Sequence, residues 1–322
     1  EGNRFIKTSL SAENVNLEPV DIPFFIDSLK ADYHHSDTEP TQGTLVMKGH
    51  QKSTPVTAEA NLKGSQLTAH IQQQKNTIHL RGKIPFPLTV DLDIPEPSSL
   101  NPALQELTTH IKGNINLLKE NQANAHLQIA KGQWQNPDDA STPPLLFQGG
   151  EFQAKLDRQK LRVLGNLTID PHKTLQLSLQ MPNYSLYSPN KPDQRVEGQL
   201  KLDINNLKFL EGISTEITEA NGTLQTSLQV NGTLAKPNTQ GSIQLKNGAF
   251  VLSTMGINLK PVQLSLNTQN GQWLLDGTIG SHDTVMRLQG NGAFSPKASG
   301  TITLSGQNVL LVNSNEYVIY LS

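Results

Sequence analysis

Residues 174–181 read Thr-Leu-Gln-Leu-Ser-Leu-Gln-Met, in which apolar and polar side chains alternate without a break. Successive side chains of a β-strand point to opposite faces, so this segment predicts a strand whose leucines and methionine share one side. The same alternation recurs in segments that end at Gly, Asn, Pro or Asp: 87–94, 113–117, 123–129, 160–169, 195–204, 221–230, 241–245, 262–266 and 300–306. We therefore expect one apolar surface to run through most of the chain.

The composition excludes several classes of protein. The chain has 322 residues, of which 35% are hydrophobic and 5% aromatic, and it has no cysteine. Without cysteine there are no disulfides, no thiolate metal sites and no cysteine nucleophile. The formal net charge is -2, with Lys and Arg interspersed among Asp and Glu. This balance argues against nucleic acid as a partner.

Both ends of the sequence suggest a piece of a longer protein. The chain starts at Glu1 without an initiator methionine or a signal-peptide pattern, and it stops inside the apolar segment 317–321. No stretch approaches the ~20 consecutive apolar residues of a membrane-spanning helix. We expect any anchor or export signal to lie outside these residues.

Turn signals recur about every 8 to 12 residues and predict on the order of 25 strands, which is typical of an all-β protein. Asn-Gly pairs begin at 221, 231, 247, 270 and 291, and such pairs are expected at tight turns. The segments 33–41 and 135–144, rich in Asp, Ser, Pro and Asn, are predicted to be long loops.

A helical pattern follows the phrase Leu-Asp-Ile at two places. Residues 92–94 precede Leu100, Leu104, Leu107 and Ile111 at spacings of three and four, and residues 202–204 precede Leu207, Leu210, Ile213 and Ile217. A fainter copy has Val-Asp-Ile at 20–22, followed by Phe25 and Leu29. The pattern predicts modules of a strand, a short amphipathic helix and a meander of strands.

So many amphipathic strands need a way to cover their apolar face. As one sheet they would extend roughly 120 Å, and an open sheet of that size must curl, split into a sandwich or be covered. Helices to cover it are scarce, and the low aromatic content favours an open trough over a packed sandwich. We therefore predict an all-β fold: one long, curled, mostly antiparallel sheet that forms an open hydrophobic trough, a β-taco, with one to three short amphipathic helices. Its predicted segments are 1–91, 92–201 and 202–322.

The predicted lining of the trough consists of the inward-facing aliphatic residues of these strands. They are Leu67, Ala69, Ile71, Ile78, Leu80, Leu88, Val90, Leu92, Ile115, Leu117, Leu127, Ile129, Leu161, Val163, Leu167, Ile169, Leu175, Leu177, Leu179, Val196, Leu200, Leu202, Leu224, Leu228, Val230, Ile243, Leu245, Leu264, Leu266, Leu275, Ile279, Ile302 and Leu304.

Residues 222–250 carry a family resemblance. They contain Gly-Thr-Leu at 222–224, Asn-Gly-Thr-Leu-Ala-Lys-Pro at 231–237 and Gly-Ser-Ile-Gln-Leu-Lys-Asn-Gly at 241–248. In this order the phrases resemble the AsmA-like superfamily, specifically the C-terminal region of its TamB family. The resemblance extends over about 200–322, whereas residues 1–199 share only the general style of alternating strand phrases with the family.

The resemblance implies a place in the envelope of a diderm bacterium. Family members are anchored in the inner membrane by an N-terminal helix, cross the periplasm and meet a TamA-like outer-membrane barrel of the Omp85 class. Their groove is thought to carry phospholipid between the membranes, and the system is also linked to assembly of outer-membrane proteins. By this resemblance we expect the anchor and the final barrel-binding segment to lie outside these residues.

We find no catalytic constellation, so we expect neither an enzyme nor a cofactor. His34 and His35 with Asp37 and Glu39 are the best metal-ligand candidates, but a solvated loop is the preferred interpretation. The adjacent Asp138 and Asp139 do not face each other across a shared bond.

The two tryptophans share a local context. Trp134 and Trp273 each follow Gly-Gln at the start of a predicted strand. We interpret both as packing residues rather than as residues that stack on a sugar.

Three functions from different classes remain open. The first is a non-enzymatic conduit that carries phospholipid acyl chains across the periplasm and supports outer-membrane biogenesis. The second is a periplasmic scaffold or chaperone for assembly of outer-membrane proteins such as autotransporters. The third is a β-sandwich adhesin or polysaccharide-active protein.

Overall fold

The computed structural model describes residues 5–17, 24–100, 104, 106–135, 144–170, 172–186, 192–212, 216–253, 256–281, 284–294, 298–313 and 318–321. The chain forms two compact units. Unit 1 consists of Glu1–Gly132 and Gln153–Arg158, and unit 2 of Gln133–Phe152 and Gln159–Ser322. None of the helices in the described ranges has the length and apolar character needed to cross a membrane.

Unit 1 is built from antiparallel strands in chain order. Its strands are β1 (Phe5–Leu17), β2 (Phe24–Ser36), β3 (Gln42–Gln51), β4 (Thr54–Lys63), β5 (Gln66–Gln73), β6 (Asn76–Lys83), β7 (Leu88–Ile94), β8 (Leu107–Thr108), β9 (Ile111–Lys119) and β10 (Gln122–Ile129). Each strand from β1 to β7 pairs with the next, β7 pairs with β9, and β9 with β10. A 3₁₀ helix, Pro97–Ser99, follows β7.

The chain passes from unit 1 to unit 2 through β11 (Gly132–Trp134), β12 (Leu145–Phe147) and β13 (Gly149–Asp157). Unit 2 then contains β14 (Lys160–Asp170), β15 (Lys173–Pro182), β16 (Glu197–Ile204), β17 (Ile217–Gly232), β18 (Pro237–Leu252), β19 (Ile257–Gln269), β20 (Gln272–Ser281), β21 (Thr284–Ala293), β22 (Ser299–Ser305), β23 (Val309–Asn313) and β24 (Val318–Leu321). A second 3₁₀ helix, Leu207–Gly212, lies between β16 and β17.

The strands of unit 2 also pair in chain order. From β14 to β22 each strand is antiparallel to the next, and β23 and β24 form a separate hairpin. Among the described residues no pairing joins β22 back to β14, so this sheet is open. The prediction of an all-β fold with an open antiparallel sheet is confirmed within each unit. The three predicted segments are not tested by this division and stay a prediction.

The helix predictions are only partly right. After residues 202–204 a short helix forms as expected, and the side-chain oxygen of Asn206 accepts a hydrogen bond from the Lys208 backbone amide, which caps its start. After 92–94 the structure describes a 3₁₀ helix at Pro97–Ser99 and 3₁₀ conformation at Leu104, and Leu107 and Ile111 lie in strands instead. The faint copy at 20–29 is wrong, because Phe25 and Leu29 belong to β2. Strand partners on both sides supply the backbone hydrogen bonds there.

The Asn-Gly pairs do not all form turns. Asn270 and Gly271 both have positive φ and join β19 to β20, as predicted. The pairs at 221 and 247 instead lie inside β17 and β18, where the register shifts. A Cβ on Gly222 would lie 2.8 Å from the Gly248 Cα, so the two strands approach too closely there for a side chain. The pairs at 231 and 291 lie within β17 and β21.

The predicted long loops also need correction. Residues 33–36 belong to β2, and only 37–41 connect it to β3. Most of the second predicted loop, 136–143, lies outside the described residues, as do Asp138 and Asp139.

Candidate functional site: the apolar face

The strand register of unit 1 aligns the aliphatic side chains into rows that cross nine strands. Directly paired residues of neighbouring strands point to the same face of a sheet. One such row runs Ala12, Leu29, Met47, Ala58, Ile71, Ile78, Leu92, Gly113 and Leu127. We call the side of each sheet that carries these rows its apolar face and the other side its polar face.

Unit 2 has an apolar face of the same kind. A row of paired residues crosses its nine consecutive strands: Leu167, Leu175, Leu202, Thr226, Ile243, Leu266, Leu275, Gly290 and Ile302. Within each unit the register therefore brings the predicted lining residues together on one face.

The apolar face is only half covered. All the predicted lining residues are half-buried except Val196, which is buried, and Ile302 and Leu304, which are exposed to 62% and 38%. In two sheets packed face to face, the inward aliphatic side chains would be buried between the layers. Over most of their length these rows are therefore not covered by a second layer among the residues that the structure describes, as expected for an open trough.

The sequence prediction missed the part of the apolar face on β1 to β4. This part includes Ala12, Leu29, Ala31, Leu45, Met47, Ala58, Ala60 and Leu62. Alternation is present in Ala-Glu-Ala-Asn-Leu at 58–62, but alanine gives a weak apolar signal. In β2 the three-and-four spacing of Phe25 and Leu29 favoured a helix and concealed the strand.

One end of the apolar face in unit 2 is covered by apolar packing. The 3₁₀ helix Leu207–Gly212 places Leu207 against Ile204 and Ala220, and these three side chains are at most 5% exposed. Leu202, Leu224 and Phe250, among others, pack around them. The Glu211 side chain also accepts a hydrogen bond of 2.9 Å from the Ala220 backbone amide. We call this helix the apolar latch.

β23 covers the neighbouring strands of unit 2. Val309 of β23 and Met286 of β21 are essentially inaccessible to solvent, and Val262 of β19 is 3% exposed. The Ser281 hydroxyl donates a hydrogen bond to the Leu310 carbonyl, which ties β20 to β23. The covered part of the face therefore extends from β16 to β21.

Unit 1 covers the corresponding end of its apolar face with side-chain amides. Asn76, 3% exposed, donates to the Glu96 carbonyl at 2.9 Å and accepts from the Glu96 amide at 2.9 Å. Gln73 donates to the Ser99 carbonyl at 3.1 Å and to Gln51 at 2.9 Å. We call the segment 96–100, which these amides hold, the polar latch.

An ion pair supports the polar latch from outside. Nζ of Lys75 lies 2.6 Å from Oε1 of Glu96. This hydrogen bond, together with the attraction between the charges, raises the pKa of Lys75 above its usual value. In unit 2 the hydrogen bond from Lys173 lowers the pKa of Asp170 at the turn between β14 and β15. The Lys75–Glu96 pair is at the surface, whereas Lys173 is directly paired with Ile204 and its side chain is only 12% exposed at the covered end of the apolar face.

Trp273 lies in β20 on the apolar face of unit 2, over glycines of the next two strands. A Cβ on Gly292 would lie 2.6 Å from its ring, and one on Gly300 would lie 2.2 Å from it. Phe294 is a further neighbour, with its ring centroid 6.4 Å away. This placement agrees with the packing interpretation of Trp273. Trp134 is half-buried in β11.

The depressions described in the surface of unit 2 are lined mainly by polar-face residues. One has a volume of about 1050 Å³, and its lining includes Gln240, Asn267 and Asn291, which point to the polar face, together with Trp273. Two smaller ones, of about 380 and 330 Å³, are also lined mainly by polar-face residues. The apolar face is an open surface along the strands, so its extent is defined by the strand register and by burial.

The histidines weighed as metal-ligand candidates do not converge. His34 and His35 are consecutive residues of β2, not of a loop, and consecutive side chains of a strand point to opposite faces. Nδ1 of His35 lies 2.8 Å from the Thr41 hydroxyl. Within the described ranges, no three or more His, Asp or Glu side chains are arranged to hold a metal ion.

The comparisons with known proteins point to the family expected from the sequence but to another part of it. Residues 118–245, from β9 to β18, match the family model described as TamB, N-terminal domain. This match replaces the expected one to the C-terminal region, because strand phrases built from Gly, Leu and Thr recur throughout such a sheet and do not distinguish its ends. No curated protein and no solved structure matches the chain. The open antiparallel sheets thus contain, over residues 118–245, a region similar to the N-terminal domain of TamB, a family of the AsmA-like superfamily.

Proposed function

We propose that this chain is a non-enzymatic conduit for phospholipid, in which the apolar face holds the acyl chains. The observation that carries the proposal is the continuity of the face within each unit. Aliphatic rows cross nine paired strands there and remain half-exposed over most of their length. Exposed apolar area of this extent, about 40 Å along the strand series of one unit, is typical of a binding surface.

The width of the face suits an acyl chain. From Leu175 to Met181 the apolar side chains of β15 span about 20 Å at ~3.4 Å per residue. The hydrocarbon of one bilayer leaflet is about 15 Å deep, half of the ~30 Å core. One acyl chain therefore fits along a strand, with the polar head group beyond the edge of the sheet.

Movement along the face needs no chemical step. The rows repeat the same aliphatic side chains from strand to strand, so neighbouring positions bind an acyl chain with similar free energy. A lipid can then shift between them without a high barrier, and burial of each methylene contributes about 0.8 kcal/mol wherever the chain lies. Lipid that passes through should be recovered chemically unchanged.

The family match supports a proposal for the cellular location and the partners of the chain. A TamB-like protein is an envelope protein, and we propose the periplasm of a diderm bacterium as the location of this chain. In the full-length protein we propose an inner-membrane anchor and a TamA-like Omp85 barrel as partner. The conduit would then supply phospholipid for outer-membrane biogenesis.

Trp273 provides the test, because it lies on the apolar face beside the aliphatic rows. In a Trp134→Phe variant it is the sole tryptophan. Phospholipid with brominated acyl chains should quench its fluorescence, whereas the same lipid without bromine should not. The Trp273→Phe variant, in which only Trp134 emits, is the matched control. Absence of both quenching and co-purifying phospholipid would disprove the conduit.

One observation favours the scaffold as a second function. All seven residues of β22, Ser299–Ser305, are exposed and none is charged. In the described part of the chain β22 pairs only with β21, so its other edge offers free backbone groups to an added strand. Photo-crosslinkers at Thr301 and Thr303 should capture unfolded outer-membrane protein if this edge is used. Crosslinkers at Leu177 should capture acyl chains if the conduit is correct.

A further inference from the structure

The polar face of unit 1 contains a histidine pair that joins two strands. His70 of β5 and His79 of β6 are directly opposite each other in the register. Their Nδ1 atoms are 3.1 Å apart, and the ring centroids are 4.3 Å apart with an interplanar angle of 34°. They are nine positions apart in the sequence, so only the β5–β6 hairpin brings them together.

The separation of the two nitrogens matches that of two imidazoles on one metal ion. Metal–imidazole bonds are about 2.0–2.1 Å long. With Nδ1 atoms 3.1 Å apart, such bonds meet at the metal at an angle of about 95–102°. This range lies between the ~90° of square-planar or tetragonal coordination and the tetrahedral angle. Tetragonal sites with nitrogen ligands are typical of Cu²⁺ and Ni²⁺.

Two carboxylates lie beside the histidine pair, and their negative charge favours a bound cation. Glu59 of β4 is opposite His70 on the same face and adds negative charge beside the ring. Asp91 of β7 is opposite His79, and it lies 3.1 Å from Arg81 and 2.6 Å from Asn114. Asp91 thus pairs with Arg81, and a carboxylate flanks the histidine pair on each side.

We propose that His70 and His79 form a two-histidine binding site for a divalent transition metal ion, with Cu²⁺ the preferred ion. Both rings bind through Nδ1, so each carries its proton on Nε2, and water completes the coordination. Cu²⁺ leads the affinity order of the divalent first-row metals. The bound ion joins β5 to β6 on the polar face, and the site is independent of the proposed lipid function.

Titration of the whole chain with Cu²⁺, followed by electron paramagnetic resonance, tests the site. The wild-type spectrum should show two equivalent nitrogen ligands, and His70→Gln or His79→Gln should leave one nitrogen and lower the affinity at least about tenfold. Cu²⁺ should also raise the melting temperature of the wild type but not of either variant. Both side chains are at the surface, so the variants should fold, and circular dichroism verifies this.

His126→Gln is the matched control. His126 lies on the same polar face, opposite Asn114, away from the pair. Its replacement should leave the two-nitrogen spectrum and the shift in melting temperature unchanged. Equal affinity and an unchanged two-nitrogen spectrum in His70→Gln and His79→Gln would overturn the proposal, and so would a wild-type spectrum with a single nitrogen.

Discussion

Two parts of the apolar face of unit 2 have the same kind of residue but differ in burial. Ile204 and Leu207, at the apolar latch, are 5% and 4% exposed. Leu177, Leu200 and Leu228, which lie on the same face of β15, β16 and β17, are half-buried. The difference arises from the cover, because the side chains are alike and lie in adjoining rows. The covered end is a small core, and the uncovered span is a surface available for binding.

Unit 1 covers the equivalent end in a different way. The polar latch is held by Gln51, Gln73 and Asn76, where unit 2 uses aliphatic contacts. Side-chain amides fix the position of a segment through directed hydrogen bonds, whereas aliphatic contacts add more stability but less direction. The repeated Leu-Asp-Ile phrase thus sets the place of each latch, and the residues after it set its chemistry.

The largest expected effect comes from introducing a carboxylate into the covered end of the apolar face of unit 2 and, separately, into its uncovered span. Ile204→Asp buries a charge without a partner and should reduce the free energy of unfolding by about 3–5 kcal/mol. Leu177→Asp should largely keep the fold, because water reaches this position, but it should block lipid binding. Urea unfolding and lipid extraction measure the two effects. A similar collapse in both variants would mean that the face is a closed core.

A smaller loss of stability is expected when a side chain of the apolar latch is shortened. Leu207→Ala removes a buried side chain from its contacts with Ile204 and Ala220 and should cost about 2–4 kcal/mol in urea unfolding. Leu274→Ala is the control, because Leu274 is 58% exposed on the polar face of β20. Equal losses of stability in the two variants would show that the apolar latch does not form part of a buried core.

Truncation of a side chain in the polar latch should lower the free energy of unfolding less than truncation in the apolar latch. Asn76→Ala leaves the Glu96 amide without its partner, at a cost of about 1–3 kcal/mol, while the Glu96 carbonyl still accepts hydrogen bonds from Ser99. Hydrogen exchange of the Glu96 amide should accelerate, while exchange in β9 stays unchanged. Asn61→Ala, an exposed position on β4, is the control. If the Glu96 amide keeps its protection in Asn76→Ala, the amides do not hold the segment.

The ion pair of the polar latch should have the smallest effect on stability, and this effect should be present at neutral pH and disappear at high pH. The folded-state pKa of Lys75 is raised, so the stabilisation by Lys75 is fully present below the unfolded pKa of about 10.4 and is lost as pH rises through the folded value. Wild type and Lys75→Met should therefore converge in stability above this range. Added salt should shrink their difference at neutral pH, because the pair is exposed.

The sequence predicts the sheet well because alternation depends only on the strand itself. Residues 174–181 fix their own apolar side, and the pairing of β14, β15 and β16 then proceeds in chain order. The prediction of a helix after residue 94 failed for two reasons. The spacing of the leucines takes no account of Pro97, which starts a 3₁₀ turn. It also takes no account of the strand pairing that places Leu107 and Ile111 in strands.

The metal-ligand candidates show what lies beyond such prediction. His34 and His35 are adjacent in sequence and point to opposite faces, whereas His70 and His79 meet only because β5 and β6 pair in one register. A shift of that register by one residue would place the two rings on opposite faces. The sequence alternation is the same for either register, so only the structure identifies the pair.

The pairing of strands in chain order has a consequence for how the protein forms and changes length. Nearly every strand pairing joins neighbours in the sequence, so contact order is low and each sheet can grow from any hairpin outward. Insertion of two strands would extend the apolar face by about 10 Å without disturbing the rest. The length of the apolar face can therefore change by one hairpin at a time.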